Sequence, residues 1–81
     1  MNQAFIGSIV LVGFNYAPEG WALCNGQTLQ IMQNQVLFAV IGTTYGGDGR
    51  TTFALPKLDA SALQQGLNYV ICVNGVFPSR P

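Results

Sequence analysis

The chain has 81 residues, of which 49% are hydrophobic and 7% charged; three basic and three acidic side chains cancel to a formal net charge of zero, and His is absent. A chain of this length buries roughly 60–65% of its unfolded surface, which makes it marginal alone and calls for a staple or a partner. A neutral surface offers no basic stripe to phosphates and no polybasic stretch to anionic lipid, and the missing imidazole removes His-based zinc ligation, acid–base catalysis and triads within one chain.

The N-terminal residues lack the basic region and small-residue cleavage pattern of a signal peptide, and no apolar run approaches a membrane span, so no membrane insertion is expected. Phe5 to Phe14 is apolar or β-branched at nearly every position, which predicts a strand covered on both faces. Asn15 to Gly20, with Pro18 and Gly20, ends it in a turn. Trp21 to Asn25 predicts a second short strand. Asn25-Gly26 is the dipeptide that most readily adopts the positive φ of a tight turn, so Gln27-Thr28-Leu29 reads as the returning arm of a hairpin.

Gln33 to Ile41 contains no Gly or Pro, and Val36, Leu37, Val40 and Ile41 fall on one apolar stripe, which predicts the one helix, with Gly42 as its C-terminal αL residue. Gly42 to Phe53 then packs four glycines and several hydroxyls into a loop that can fold back tightly or let another backbone approach. Asn68 to Asn74, centred on Val70-Ile71-Cys72-Val73, predicts a further buried strand, and Asn74-Gly75 turns the chain into Val76-Phe77-Pro78. With no linker, repeat or low-complexity tract, residues 1–81 read as one α+β domain, mostly β with a single short helix.

The carboxylates are Glu19, Asp48 and Asp59, and none pairs with another at a spacing suited to two-carboxylate catalysis, so neither an enzyme nor a cofactor is expected. The glycine-rich loop lacks the Gly-Lys-Ser/Thr ending of a phosphate-binding loop and follows the helix instead of opening one. Asp48 and Arg50 flank Gly49, which suggests a charge pair or a carboxylate bond to loop amides, in an architectural role. Cys24 and Cys72 each sit in an apolar stretch and are expected as buried, unlinked thiols. Tyr16, Trp21 and Tyr45 lie at turn boundaries, where a ring can stack on a sugar or on a partner chain; core or interface packing is the commoner fate of such a ring.

Three separated strings, Gly20-Trp21-Ala22-Leu23-Cys24-Asn25-Gly26, the loop from Gly42 through Phe53 into Ala54-Leu55-Pro56, and Leu67 to Arg80, together resemble the phage tail collar domain, especially its microcystin-dependent-protein branch. The resemblance runs from about Phe5 to Pro56 and resumes at about Leu67. It implies a small collar unit, part of a trimeric fibre, with a structural and sometimes receptor-facing role and no catalytic residues. The chain departs from the pattern after Lys57-Leu58-Asp59, where relatives continue with Arg-Gly-Arg and a long, often His-bearing glycine-rich segment; here Ala60 to Gly66 bridges directly. Metal binding and receptor binding, which belong to that segment, are therefore not carried over. Met32 stands where relatives have a Ser helix cap, an expected loss of about 1 kcal/mol.

Six Asn and seven Gln outnumber the six charged side chains, and so apolar and neutral a surface favours association over a lone monomer. With the subunit number taken from what the resemblance implies, the expectation is a self-assembling homotrimeric building block, of a virion, a phage-derived particle or a cytoplasmic assembly. Gly46, Gly47, Asp48, Gly49 and Arg50 are expected at or near the subunit contact. A longer collar-domain protein is a second candidate partner. The alternative is a multivalent glycan- or receptor-binding module that stacks ligands on Tyr16, Trp21 or Tyr45.

Overall fold

The computed structural model describes residues 4–58 and 66–78. Asp59, the bridging residues 60–65 and the tail at 79–81 lie outside them. The elements are β1 (Ile9–Val12), β2 (Trp21–Leu23), β3 (Thr28–Gln30), α1 (Gln35–Ile41), β4 (Thr52–Ala54) and β5 (Asn68–Cys72). They form a three-stranded antiparallel sheet in the order β1-β5-β2 and a two-stranded antiparallel sheet of β3 and β4.

β5 lies between β1 and β2, with Ile9 opposite Ile71 and Trp21 opposite Cys72, so its neighbours shelter both edges. Val70, Ile71 and Cys72 are all buried, as the unbroken apolar run predicts for an inner strand. They meet Ile6, Trp21, Cys24, Leu37, Phe53 and Leu55 in the core. Both cysteines are buried and free. Burial pushes the Cys24 thiol up to about 11.

The first strand is shorter and more open than its composition predicts. Gly7, at φ +93°, interrupts the extended run, and its bare backbone sits where a Cβ would come within 2.9 Å of the Val40 side chain. What remains, Ile9–Val12, is an edge strand whose side chains alternate: Val10 and Val12 are half-buried, while Ile9 and Leu11 are 38% and 45% exposed. Among the described residues, cover on both faces is therefore not supplied. Residues before Gly7 run beside the end of β5 instead, where Phe5 pairs in parallel with Val76 and Ile6 N–H donates to Val76 O at 2.8 Å.

The expected hairpin across Asn25-Gly26 does not form. Gly26 has the anticipated positive φ, +80°, but its N–H donates to Pro56 O, and Asn25 bridges Lys57. Leu55 N–H donates to Gln27 O and Leu58 N–H to Cys24 O, so residues 55–58 satisfy the backbone that a hairpin would have paired locally. The turn thus passes the chain from one sheet to the other, and Leu29 pairs with Phe53 of β4.

α1 starts two residues later than predicted, with Asn34 at the cap position, and Met32 lies in the preceding turn, 83% exposed. The lost Ser cap is consequently not at Met32. Asn34 also makes no side-chain cap; its Nδ2 donates back to Gln30 O at 3.0 Å. The helix is rotated relative to the predicted stripe: Leu37 is fully buried, Phe38 and Ile41 pack on the core, and Val36 and Val40 are exposed. The Phe38 ring, 5.4 Å from that of Phe53 and tilted by 57°, selects this face by docking the helix on β4. Gly42 has φ 59° but ψ −146°, a conformation reserved for glycine that is not αL, and its N–H closes the last helical bond to Phe38 O.

Candidate functional site

The loop between α1 and β4 is built around one carboxylate. Asp48 Oδ1 accepts from the backbone N–H groups of Arg50, Thr51 and Thr52, each at 2.9 Å, and Oδ2 accepts from the Thr51 hydroxyl at 3.0 Å. In the opposite direction Asp48 N–H donates to Thr52 Oγ1 and Gly49 N–H to Thr52 O. An aspartate followed by glycine favours such a closed turn because the short side chain reaches amides two to four residues on. The amide donors of Thr52, Arg50 and Thr51, then the Thr51 hydroxyl, hold the Asp48 carboxyl well below the usual carboxylate range. The carboxylate is thereby engaged by loop amides, the second of the two roles its spacing suggested.

The loop glycines serve the same closure. Ala54 N–H donates to Gly46 O at 3.0 Å, and Gly46 N–H to Thr43 O at 3.1 Å. Gly47, at φ +97°, lies so close to β4 that a Cβ would collide with the Phe53 Cα and sit 2.7 Å from Thr52 O. At Gly46 and Gly47 a close approach of the kind anticipated from these glycines is made to the chain's own strand. On the outer side, Arg50 and Thr51 line an open groove of about 360 Å³ with Gln30, Met32 and Gln35, and Ile31 N–H ties its floor to Thr51 O.

The aromatic candidates separate by burial. Trp21 is 9% exposed and packs in the core, which withdraws its ring from any stacking platform. Tyr16 is 60% exposed and stacks on Phe14, with ring centroids 4.7 Å apart, and Tyr45 is exposed beside the loop glycines. Composition did not point to Phe14, Thr51 or Thr52; the Asp-Gly-x-Thr-Thr order at 48–52 was the signal available for the two threonines.

Among the described residues no three His, Cys, Asp or Glu side chains gather as a metal site, and no helix is long and apolar enough to cross a membrane. No curated protein matches the sequence. A family model, the Phage Tail Collar Domain, matches residues 7–63, which span β1, β2, β3, α1, the Asp48 loop and β4. With both the amide-bound loop and the strands that carry it inside that match, the chain belongs to the phage tail collar domain family, and its coarse role is that of a structural phage-tail domain.

Proposed function

We propose that this collar domain is a self-assembling building block whose copies, as a homotrimer in a fibre tip or larger particle, cover one another's apolar surface. The observation that supports this is the pattern of exposure. Ile9 and Leu11 share the open face of an edge strand, and Phe5, its bridge partner Val76 and the adjacent Phe77 are all exposed just beyond the C-terminal end of β5. A neutral chain has no net repulsion to keep such surfaces apart.

Covering the exposed portions of these five side chains contributes roughly 4–8 kcal/mol per subunit, against about 4–15 kcal/mol of lost freedom on association. Assembly therefore needs several such contacts at once, which a closed ring supplies and a single pairwise touch does not. Native mass spectrometry and light scattering test the reading. The parent is expected as a trimer at micromolar concentration and Leu11→Lys as a monomer with an unchanged circular dichroism spectrum; a monomeric parent overturns the proposal. Arg50→Ala asks whether the Asp48 loop also touches a neighbour, and an unchanged trimer of unchanged stability removes it from the contact. Co-expression with a longer collar-domain protein tests for mixed oligomers.

A second reading rests on the exposed Phe14–Tyr16 stack and on Tyr45: a multivalent glycan-binding surface. A glycan array probed with the parent and with Tyr16→Ala separates it from the scaffold reading, because a silent array leaves only the scaffold.

A further inference from the structure

Two Asn-Gly dipeptides occur in the chain, Asn25-Gly26 and Asn74-Gly75. Glycine leaves its own amide nitrogen unshielded, so that nitrogen can reach the carbonyl carbon of the preceding Asn side chain. In an unfolded chain the two sites present the same chemistry.

The fold treats them differently. At the first, both groups that must meet are engaged: Gly26 N–H donates to Pro56 O at 3.2 Å, and Asn25 Oδ1 accepts from Gln27 N–H at 3.1 Å. Asn25 is further held in a bridge to Lys57. At the second, Asn74 is exposed in the bend after β5. Its backbone is anchored, N–H to Gly20 O at 3.1 Å and O to the Cys72 thiol at 3.6 Å. Among the described residues, however, neither its side-chain amide nor Gly75 N–H has a hydrogen-bond partner.

We propose that Asn74 is a site of spontaneous covalent modification, and that its product loosens the N-terminal arm. Gly75 N bonds to Asn74 Cγ, the Cγ–Nδ2 bond breaks, and ammonia leaves carrying the former Gly75 amide proton. Water then opens the resulting succinimide at either carbonyl, giving aspartate or isoaspartate. No oxidant or reductant is needed.

The isoaspartate product lengthens the backbone by one carbon where there is no slack. A Cβ on Gly75 would collide with the Ala4 carbonyl and lie 2.9 Å from Cys72 Sγ. On either side, Val73 N–H and Asn74 N–H converge on Gly20 O, while Val76 N–H donates to Ala4 O and Ile6 N–H to Val76 O. Residues 73–76 therefore clasp Ala4–Ile6 against the end of β5. An inserted carbon, together with a new negative charge on a neutral chain, opens that clasp.

The test is incubation of the folded full-length protein in mildly alkaline heavy-oxygen water, followed by peptide mass spectrometry. Labelled acid is expected at 74 at least about tenfold faster than at 25, because reaction at 25 first requires breaking two hydrogen bonds, and the two rates should converge in denaturant. Equal rates in the folded protein, faster reaction at 25, no labelling at 74, or a tenfold lead that persists in denaturant would each overturn the assignment. Hydrogen exchange at the Ile6 amide should accelerate as isoaspartate accumulates and stay slow in Asn74→Gln, whose longer side chain disfavours the ring. Unchanged Ile6 exchange in fully converted protein would overturn the loosening of the arm.

Discussion

Replacing Gly47 by Ala tests whether the glycine-rich loop is closed against its own strand. At φ +97° an L side chain is strained by about 1–3 kcal/mol. The added Cβ would also collide with the Phe53 Cα and sit 2.7 Å from Thr52 O and 2.8 Å from Phe53 N. These are backbone atoms of a paired strand and cannot swing aside as a side-chain tip could. Relief requires moving the loop off β4, which forfeits the Ala54 N–H bond to Gly46 O, worth about 1 kcal/mol. The expected loss is thus about 3 kcal/mol or more, out of about 4–12 kcal/mol for a domain of this length, and it lowers Tm by about 10–25 °C. Gly42→Ala is the control: φ is also positive, at 59°, but nothing lies within 4 Å of the added carbon, so only strain of about 1–2 kcal/mol is expected. Urea unfolding read by the fluorescence of Trp21, the single tryptophan and a core residue, measures both variants. The series is repeated at several protein concentrations to separate folding from association. Equal losses in the two variants, or a silent Gly47→Ala, would refute the reasoning.

The carboxylate at the centre of the loop makes a pH-dependent prediction. Because Asp48 has a folded pKa depressed by amide donors, its contribution is complete above the unfolded value near 4 and is lost as pH falls from there toward the lower folded value. Protection of the Thr51 and Thr52 amides, relative to their intrinsic exchange rate at each pH, should fall across that acid window in the parent, whereas Asp48→Asn should be less protected at neutral pH and show no further loss there. For Cys24, burial and a thiol pushed up to about 11 predict negligible maleimide labelling at neutral pH in the folded protein and rapid labelling in denaturant. Labelling of Cys24 at the unfolded rate would show that the core around it is open.

How much of this was legible depends on whether the determinant was local. The run Val70-Ile71-Cys72 announces an inner strand because burial on both faces needs no polar alternation, and Asp48-Gly49 announces a side chain that reaches nearby amides. Asn25-Gly26 likewise announces a positive φ, but not which partner satisfies the turn; Pro56 and Lys57, far along the chain, decide that. The helix presents two overlapping apolar stripes, Val36-Leu37-Val40-Ile41 and Leu37-Phe38-Ile41, and only the Phe53 ring across the interface chooses between them. Trp21 at a turn boundary leaves a stacking platform open beside the commoner core role until its pairing with Cys72 turns it inward. Edge position was hidden for the same reason: nothing inside Ile9–Val12 states that only one neighbour will pair with it.

The glycines and the exposed apolar side chains divide the work of this small fold. Gly7 receives Val40, Gly47 receives β4 and Gly75 receives Ala4, so three of the closest backbone approaches are made within one chain. At Gly47 the volume a side chain would need is already taken by β4. If the Asp48 loop meets another subunit, it does so through what projects from it, the exposed Tyr45 and Arg50, on a scaffold already rigidified by the Asp48 carboxylate. The apolar side chains left outside, Phe5, Ile9, Leu11, Val76 and Phe77, carry no such internal duty and can be buried by a partner without rebuilding the core. That division predicts opposite signatures for the two kinds of substitution. Gly47→Ala should weaken the folded subunit at every protein concentration, while Leu11→Lys should leave the isolated subunit's stability unchanged and shift only the concentration dependence of assembly.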